Sequence, residues 1–487
     1  MINGSKTGST KTIYSFMVFA LLLSMIISGC KTTGKEGVAS SPTISEKDYK
    51  SLAKTIIEKA QPQIQEITGR KYKEDKIKYE TITRDDLRKL LIEEELPGIK
   101  KLAQGLDEDM IIRQLEVSTE KRSQNYAVRY SNLRKILYVI PENIVPVAVR
   151  SGVEKEELQN FLLLLIAHDM VHCLDDQYYD FMKQLGNCTT TELISAFGAV
   201  IDGNAAYVTN KMADSQKINE KTYINASKAS LTIQDETTGA GKQNFDLYIT
   251  KGSKFISAII DRKGAEGVSS AFLTPPVSTR QVIFPEEYLN PTALSSINCT
   301  KLIESIAGKL KTEGMQSQKT TVGTMILQTT LATQGINKEE AEAISNSLID
   351  GASYTAIKLA VKPVIVAVQI LNFKDEEGAR RLDTASKLIQ KSQEAQFKAR
   401  LNTSYNIIKD EETVQEGFDF VKYKEIEQKT DTEATITREL TGLTDSVYIT
   451  IVNINMDSIS KEDMLGILNQ IYEGYLKMDQ ELISSTL

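Results

Sequence analysis

Residues 161–167 of the chain have the sequence FLLLLIA, and the apolar run continues into HDMVHCLDD. This run restricts the fold more than any other feature, because a helix that is apolar on every face must be enclosed on every side. Residues 151–154, SGVE, match the S-x-x-E pattern of a helix capping box. We therefore expect a buried central helix that begins near residue 151 and extends to about Lys183.

His168 and His172 are the only two histidines in the 487-residue chain, and they stand four residues apart on this predicted helix. Residues with that spacing lie on one face, so the two imidazoles can bind one ion. HDMVH is close to HExxH, in which two histidines bind zinc. Zinc also needs a third protein ligand and an open position for water. We expect Asp202 on the next helix to be that ligand, with Glu192 as the alternative.

Asp169 stands where HExxH has its glutamate, and it is the candidate catalytic base for a zinc-activated water. One zinc ion is the expected cofactor. Two alternatives remain open: core histidines without a metal, and a facial triad that binds non-haem iron. Asp175, Asp176 and Gln177, one turn further on, either orient the histidines as hydrogen-bond acceptors or form a solvated helix end.

The N-terminus has the features of an export signal. Lys6 and Lys11 precede a short apolar run that ends in SGC at residues 28–30. Residues 27–30, ISGC, resemble the bacterial lipobox, in which the cysteine is lipidated. We expect a lipoprotein signal peptide at residues 1–29, lipidation of Cys30 and a flexible tether over residues 30–46. An ordinary cleaved signal or an anchor helix is the alternative.

Charge and cysteine content restrict the partners. The formal net charge is −7 and no basic block is present, so nucleic acid is not an expected partner. The expected partners are a peptide or protein substrate, or an envelope protein, together with a membrane reached through the lipid anchor. Apart from Cys30, three cysteines remain, and an odd number cannot all pair within one chain. Cys173 and Cys188 could form a disulfide, or all three could be buried thiols.

Several further segments have recognisable patterns. YAVRY and KILYVI, within residues 126–140, predict a β-hairpin, and KILYVI could be the sheet edge on which an extended peptide pairs. A second capping box at residues 189–192 predicts the helix that carries Asp202. Residues 214–244 are polar and rich in Gly and Thr, so we expect a long surface excursion there.

The order of three motifs resembles a family of bacterial exported proteins and lipoproteins with a zincin-type (HExxH, gluzincin-like) metallopeptidase core. HDMVHCLDDQYYDF at 168–181, DGNA at 202–205 and PPVSTRQVIFPEEY at 275–288 are similar to the family's HELTHALQDQHFDL, EGDA and PPxSTEQ…HPEKY. The resemblance covers roughly residues 80 to 300. It implies zinc held by two histidines and a carboxylate, with a glutamate as base.

Four of the chain's departures from the family pattern affect the expected site: Asp169 and Asp202 replace glutamates, Arg280 replaces an acid, and Phe284 replaces a histidine. Aspartate is shorter than glutamate by about 1.5 Å, one C–C bond. Displacements of about 1 Å can reduce catalysis roughly 100-fold. The resemblance therefore implies either an extracytoplasmic, membrane-tethered zinc metallopeptidase of the bacterial cell envelope, or a catalytically inactive scaffold lipoprotein that acts in binding or envelope assembly.

We expect the fold to be α+β and mostly α-helical. The length suggests more than one domain. We predict a zincin-like metallopeptidase domain over residues 47–300 and a helical extension over residues 301–360. Residues 361–487 are predicted to form a small α+β domain with the order β-α-β-β-β-α.

Overall fold

A computed structural model describes residues 46–73, 77–102, 108–231, 239–290, 297–310, 314–358, 363–399, 403–430 and 433–486. The predicted signal peptide, Cys30 and the predicted tether up to residue 45 lie outside these ranges. The described residues form a mostly helical α+β structure, as the sequence predicts. Within these ranges, every helix is too short or too polar to cross a membrane.

The first part of the structure is almost entirely helical. Two of its helices carry the candidate ligands, and we call them the histidine helix, Leu158–Tyr179, and the aspartate helix, Thr191–Gln216. The other helices are Glu46–Thr68, Arg84–Leu102, Glu108–Ser123, Pro141–Arg150, Phe181–Asn187, Glu220–Ser230, Gly239–Phe245, Gly252–Lys263, Gly267–Leu273, Thr279–Ile283 and Pro285–Leu289, with a 3-10 turn at Lys155–Glu157 and a π-helical turn at Asp246–Lys251.

The histidine helix is buried as its composition predicts. Its apolar residues share one core with the helices Glu46–Thr68, Thr191–Gln216 and Glu220–Ser230 and with a small sheet. The predicted bounds are wrong at both ends. Gly152 has a φ of 68° and terminates the preceding helix, so residues 151–154 form no capping box. Asp180 adopts a left-handed conformation (φ 50°) and caps the next helix, which ends the histidine helix before Lys183.

The small sheet lies beside the histidine helix. Its strands are β1 (Tyr79–Thr81), β2 (Val128–Ser131) and β3 (Ile136–Val139), in the order β1-β3-β2. The predicted hairpin is confirmed, since β2 and β3 pair antiparallel. The prediction that KILYVI forms an edge is wrong, because β3 is the central strand and β2 lies at the edge.

Residues 214–244 contain more structure than their composition predicts. The aspartate helix continues to Gln216, and the helices Glu220–Ser230 and Gly239–Phe245 follow. Asn219 begins the first of these by accepting a hydrogen bond from the N–H of Thr222. Small residues on its buried face let it pack against the histidine helix despite its polar sequence. The expectation of a long surface excursion is therefore wrong for the described part of this segment.

The second part of the structure is built on a seven-stranded antiparallel sheet in the order β4-β5-β6-β10-β9-β8-β7. Two helices, Cys299–Leu310 and Lys461–Thr486, cover one face. Three others, Thr324–Thr333, Lys338–Ser347 and Glu376–Lys398, cover the other face. The strands are β4 (Gln316–Thr321), β5 (Leu348–Lys358), β6 (Val364–Phe373), β7 (Ser404–Gln415), β8 (Phe418–Lys429), β9 (Ala434–Thr444) and β10 (Val447–Ile454).

The prediction that residues 301–360 are helical throughout is wrong, because β4 and β5 interrupt the helices and extend the same sheet. The predicted order β-α-β-β-β-α for residues 361–487 also lacks one strand, β7. This strand forms the sheet edge and is exposed along most of its length, so it lacks the alternating apolar pattern of a half-buried strand.

Candidate metal centre

The structure brings His168, His172 and Asp202 together. The Nε2 atoms of both histidines lie 3.4 Å from the same oxygen, Oδ1 of Asp202. The ligand atoms of all three residues lie within 4.8 Å of one another, so this group could hold a metal ion. The two imidazole rings meet edge to face, with centroids 4.6 Å apart. The four-residue spacing thus places both rings on one face of the histidine helix, toward the aspartate helix.

The separation of these atoms fits a metal ion better than a direct hydrogen bond. A distance of 3.4 Å is longer than the usual N–H···O range. Ligand atoms about 2.1 Å from a tetrahedral ion lie roughly 3.4 Å from one another. Two imidazole nitrogens and one carboxylate also form the donor set of catalytic zinc sites. The two His–Asp202 distances and the set of donor atoms therefore fit a bound metal ion.

A pair of glycines brings the aspartate helix against the neighbouring helix Gly252–Lys263. A Cβ atom on Gly203 would lie 2.4 Å from the carbonyl carbon of Gly252, and one on Gly252 would lie 2.5 Å from the carbonyl oxygen of Ala199. Only glycine permits backbones to approach so closely. Gly203 directly follows Asp202, so this contact fixes the height and rotation of the aspartate helix at the ligand.

The three candidate ligands influence one another's ionisation. Burial by itself would raise the pKa of Asp202, but the adjacent imidazoles of His168 and His172 hold it well below its usual range. Burial would lower the pKa of His172, but the adjacent carboxylate of Asp202 outweighs this effect and raises the pKa. The site therefore has a strong local preference for positive charge, which a bound cation satisfies.

Asp169 lies beside the three ligands and is held by the edge of the small sheet. Its Oδ1 accepts a hydrogen bond of 2.6 Å from the backbone N–H of Tyr130 in β2. Asp169 is buried but lines the same cavity as the three candidate ligands. The carboxylate is thus fixed in orientation, a contact that no sequence pattern indicates because it joins residues 39 positions apart.

Asp175 and Asp176 are both buried, so the interpretation as a solvated helix end is wrong. Asp175 accepts from Arg70 at 2.5 Å through one oxygen and from Asn204 at 2.7 Å through the other. Nδ1 of His172 is buried and has no hydrogen-bond partner in the described part of the chain, so Asp175 does not orient that ring directly. Instead, Asp175 joins the histidine helix to Asn204 in the DGNA motif.

Asp176 connects the end of the histidine helix to the small sheet. Its Oδ2 accepts from the hydroxyl of Tyr130 and from Nζ of Lys135, each at 2.7 Å. Its Oδ1 accepts from the backbone N–H of Phe181 at 2.7 Å. Tyr130 therefore contacts both Asp169 and Asp176, and these bonds fix β2 against the histidine helix.

The remaining sequence candidates lie away from the ligands. Glu192, the alternative third ligand, accepts two hydrogen bonds of 2.7 Å from Thr279 and does not join the metal-binding group. Arg280 forms a two-point ion pair with Glu287 and donates to the carbonyl of Leu348. Its charge is therefore compensated locally, and the ring of Phe284 packs against its guanidinium group.

The three described cysteines, Cys173, Cys188 and Cys299, are buried and form no disulfide with one another. Of the two interpretations of these residues, the structure supports buried thiols.

The candidate centre opens into a cavity of about 270 Å³. Its wall includes the three ligands, Asp169 and residues 128–130 of the edge strand β2. The cavity is small by the standard of ligand pockets, which are about 300–1,000 Å³.

Comparisons with known proteins do not assign a family. No family model matches the chain, and no curated protein matches it. Among solved structures, a protein from Chloroflexus aurantiacus described as "a putative hydrolase with a novel fold" is similar at 15% sequence identity and a TM-score of 0.34. The similarity covers 51% of this chain and 91% of that protein. A likeness this distant assigns neither fold family nor activity, so function must be argued from the site itself.

Proposed function

We propose that this protein is a zinc-dependent metallopeptidase of the zincin type. The observation that carries the proposal is the convergence of His168, His172 and Asp202, with both His–Asp202 distances at 3.4 Å and all ligand atoms within 4.8 Å of one another, beside Asp169. These are the parts that peptide hydrolysis by an activated water requires: two imidazoles, a carboxylate ligand and a separate carboxylate base.

Each residue has a distinct role in the proposed reaction. When bound, zinc lowers the pKa of its water toward neutrality and polarises the carbonyl of the peptide bond. Asp169 accepts the proton of the attacking water and delivers it to the amine that leaves. The N–H of Tyr130 holds Oδ1 of Asp169, so the second oxygen is the one that exchanges protons.

The position of β2 supports a peptide as substrate. This strand lies at the sheet edge, and Val128, Arg129 and Tyr130 line the cavity. An extended peptide can pair with such an edge through main-chain hydrogen bonds, which favour peptides without demanding one sequence. The N–H of Tyr130 is already used by Asp169, so pairing would take place on either side of that residue.

We also propose that the protein acts outside the cytoplasm, attached to a bacterial membrane through lipidated Cys30. The lipobox-like ISGC at residues 27–30 and the polar segment that follows it support this location.

A catalytically inactive scaffold is the second candidate, and two observations favour it. Asp169 is shorter than the glutamate of HExxH, and one of its oxygens is occupied by Tyr130. In this case the protein would bind an envelope partner, with or without a structural metal, and would cleave nothing.

Substitution at Asp169 separates the two candidates. Asp169→Asn keeps the shape and the acceptor for Tyr130 but removes the base, so we expect zinc content to persist and cleavage of a mixed peptide library to fall roughly 100-fold or more. Asp214→Asn, an exposed acid on the aspartate helix, is the matched control and should cleave as the parent does. Equal cleavage by Asp169→Asn and parent would contradict the proposed mechanism.

Asp169→Glu is a second test of whether the protein is a catalytically inactive scaffold. It restores the HExxH glutamate, so a peptidase should keep or gain activity. A zinc-loaded Asp169→Glu protein that cleaves no peptide in the library would support the inactive scaffold.

A further inference from the structure

A second cavity, of about 310 Å³, lies where the helical part meets the seven-stranded sheet. Its wall comes from the start of the aspartate helix, from residues 277–280 at the start of the helix Thr279–Ile283, from residues 321–324 between the end of β4 and the helix Thr324–Thr333, and from residues 349–351 of β5. None of its lining residues lines the candidate metal centre. This cavity is therefore a separate site, which we call the junction cavity.

Three side-chain oxygens of the junction cavity are buried and have no hydrogen-bond partner among the described residues: Oε2 of Glu192, Oγ1 of Thr321 and Oγ1 of Thr324. Glu192 is only 5% exposed and Thr324 only 1%. A buried polar atom without a partner is destabilising, and native proteins contain few of them. Three such atoms around one cavity indicate that a ligand supplies the missing partner.

The charges of the residues that line the cavity indicate that the ligand is a cation. Glu192 and Asp350 both line the cavity, and in the described part of the chain neither forms an ion pair with Lys, Arg or His. Arg280 also lines the cavity, but its guanidinium group is paired with Glu287. The two carboxylates thus leave two negative charges without a compensating protein cation.

Both carboxylates are held in place. Oε1 of Glu192 accepts from the N–H and the hydroxyl of Thr279, and the oxygens of Asp350 accept from the backbone N–H groups of Gly351 and Cys299 at 2.9 Å each. Burial raises the pKa of Glu192, the bonds from Thr279 oppose this rise, and the charge of Asp350 adds to it. The cavity wall therefore presents oxygen atoms in fixed positions. Burial makes the negative charge on these oxygens energetically unfavourable.

We propose that the junction cavity binds a hard divalent cation, with calcium as the first choice, through Glu192, Thr321 and Thr324 and with the charge of Asp350. Calcium takes 6–8 oxygen ligands, and carboxylates are its preferred protein donors. Waters, at about 30 Å³ each, can fill the positions that the side chains leave in this cavity. The ion would join the aspartate helix to β4 and to the start of the helix Thr324–Thr333.

The proposal does not depend on peptidase activity or on zinc. Its test is calorimetric titration of the metal-free purified protein with calcium alone, and with magnesium or manganese alone in parallel. We expect one ion per chain and a rise in melting temperature on binding. A parent protein that shows neither with any of the three ions would overturn the proposal and leave the cavity hydrated only.

Matched variants locate the binding. Glu192→Gln keeps the acceptor for Thr279 but removes the charge, and Thr324→Val removes an oxygen that has no partner, so each should weaken cation binding roughly tenfold or more. Thr329→Val, on the same helix but outside the cavity, should bind as the parent does. If Glu192→Gln does not fold, the cation affinity of Thr324→Val alone tests whether the ion binds in the junction cavity.

A further control separates this site from the metal centre. The double variant His168→Ala/His172→Ala should lose zinc and keep calcium binding. Calcium binding that survives both Glu192→Gln and Thr324→Val, or that disappears in the histidine variant, would contradict the assignment.

Discussion

Replacing Gly203 with alanine tests whether close helix packing positions the metal centre. The added Cβ would lie 2.4 Å from the carbonyl carbon and 2.6 Å from the carbonyl oxygen of Gly252. An unstrained contact between carbon atoms is about 3.5 Å, so the deficit is about 1.1 Å. Both atoms belong to backbone, and no side-chain rotation can relieve the overlap. The helix Gly252–Lys263 and the aspartate helix must therefore separate by about 1 Å.

Two terms decide the size of the effect on stability. Overpacking of this kind costs about 1–3 kcal/mol. Alanine has a higher helix propensity than glycine, and this difference stabilises the variant by up to about 1 kcal/mol. We expect Gly203→Ala to lower the free energy of unfolding by about 1–2 kcal/mol in urea denaturation. Because Asp202 is the adjacent residue, a shift of about 1 Å should also weaken zinc binding roughly tenfold or more and reduce any peptide cleavage.

Gly466→Ala is the matched control. Gly466 lies on the exposed face of the helix Lys461–Thr486, and a Cβ atom added there would have no neighbouring heavy atom of the described residues within 4 Å. This variant should be as stable as the parent or more stable by up to about 1 kcal/mol, with unchanged zinc affinity. A Gly203→Ala protein that matches Gly466→Ala in both stability and zinc affinity would refute the argument that backbone contact sets the position of Asp202.

Three further predictions follow from buried charges. Arg70→Met leaves the fully buried carboxylate of Asp175 without its cation, so the free energy of unfolding should fall by about 3–5 kcal/mol; a loss below about 1 kcal/mol would contradict this. Asp202→Asn should lower zinc affinity by more than roughly tenfold while the far-ultraviolet circular dichroism spectrum stays unchanged; parent-like affinity would exclude Asp202 as a ligand. The raised pKa of Glu192 contributes stability that is fully present below the ordinary value of 4.5 and is lost as pH rises through the folded-state pKa. In chelator, the melting temperature of the parent relative to Glu192→Gln should therefore fall as pH rises above that value, and a flat difference would contradict the buried-carboxylate argument.

The centre of the site could be predicted from sequence because its signal is local. His168 and His172 share one helix, and a spacing of four residues fixes their common face. Asp202 is further along the chain but begins a short motif, DGNA, on a helix with its own apolar pattern. Spacing was sufficient for the two histidines, whereas it left Glu192 open as an alternative to Asp202, and only the packing of the two helices distinguishes these acids.

Other parts of the site depend on contacts between distant segments, which one sequence does not display. The hydrogen bond from Tyr130 to Asp169 and the approach of Gly203 to Gly252 each join separate elements. Asp175 gave no local sign of its partner Arg70, which lies 105 residues earlier. The polarity of Asp175 suggested either solvent or a histidine, and only packing distinguishes these from a buried ion pair.

In the fold, too, some elements could be predicted from local sequence, whereas others depend on contacts between distant segments. The strand β6 (Val364–Phe373), whose sequence is largely apolar, is the first strand of the predicted order β-α-β-β-β-α. Strand β5 was missed because Asp350, Gly351 and several small residues weaken its β-preference. It forms nevertheless because β4 and β6 pair with it on either side. Tertiary pairing, rather than local preference, decides such strands.

The metal content of the purified protein tests the central claim most directly. Elemental mass spectrometry should find about one zinc per chain in the parent, as expected for a single site with three protein ligands. It should find none in the His168→Ala/His172→Ala variant prepared in the same way. Absence of zinc from the parent, even after incubation with zinc and removal of the excess, would contradict the metal centre and with it the proposed peptidase.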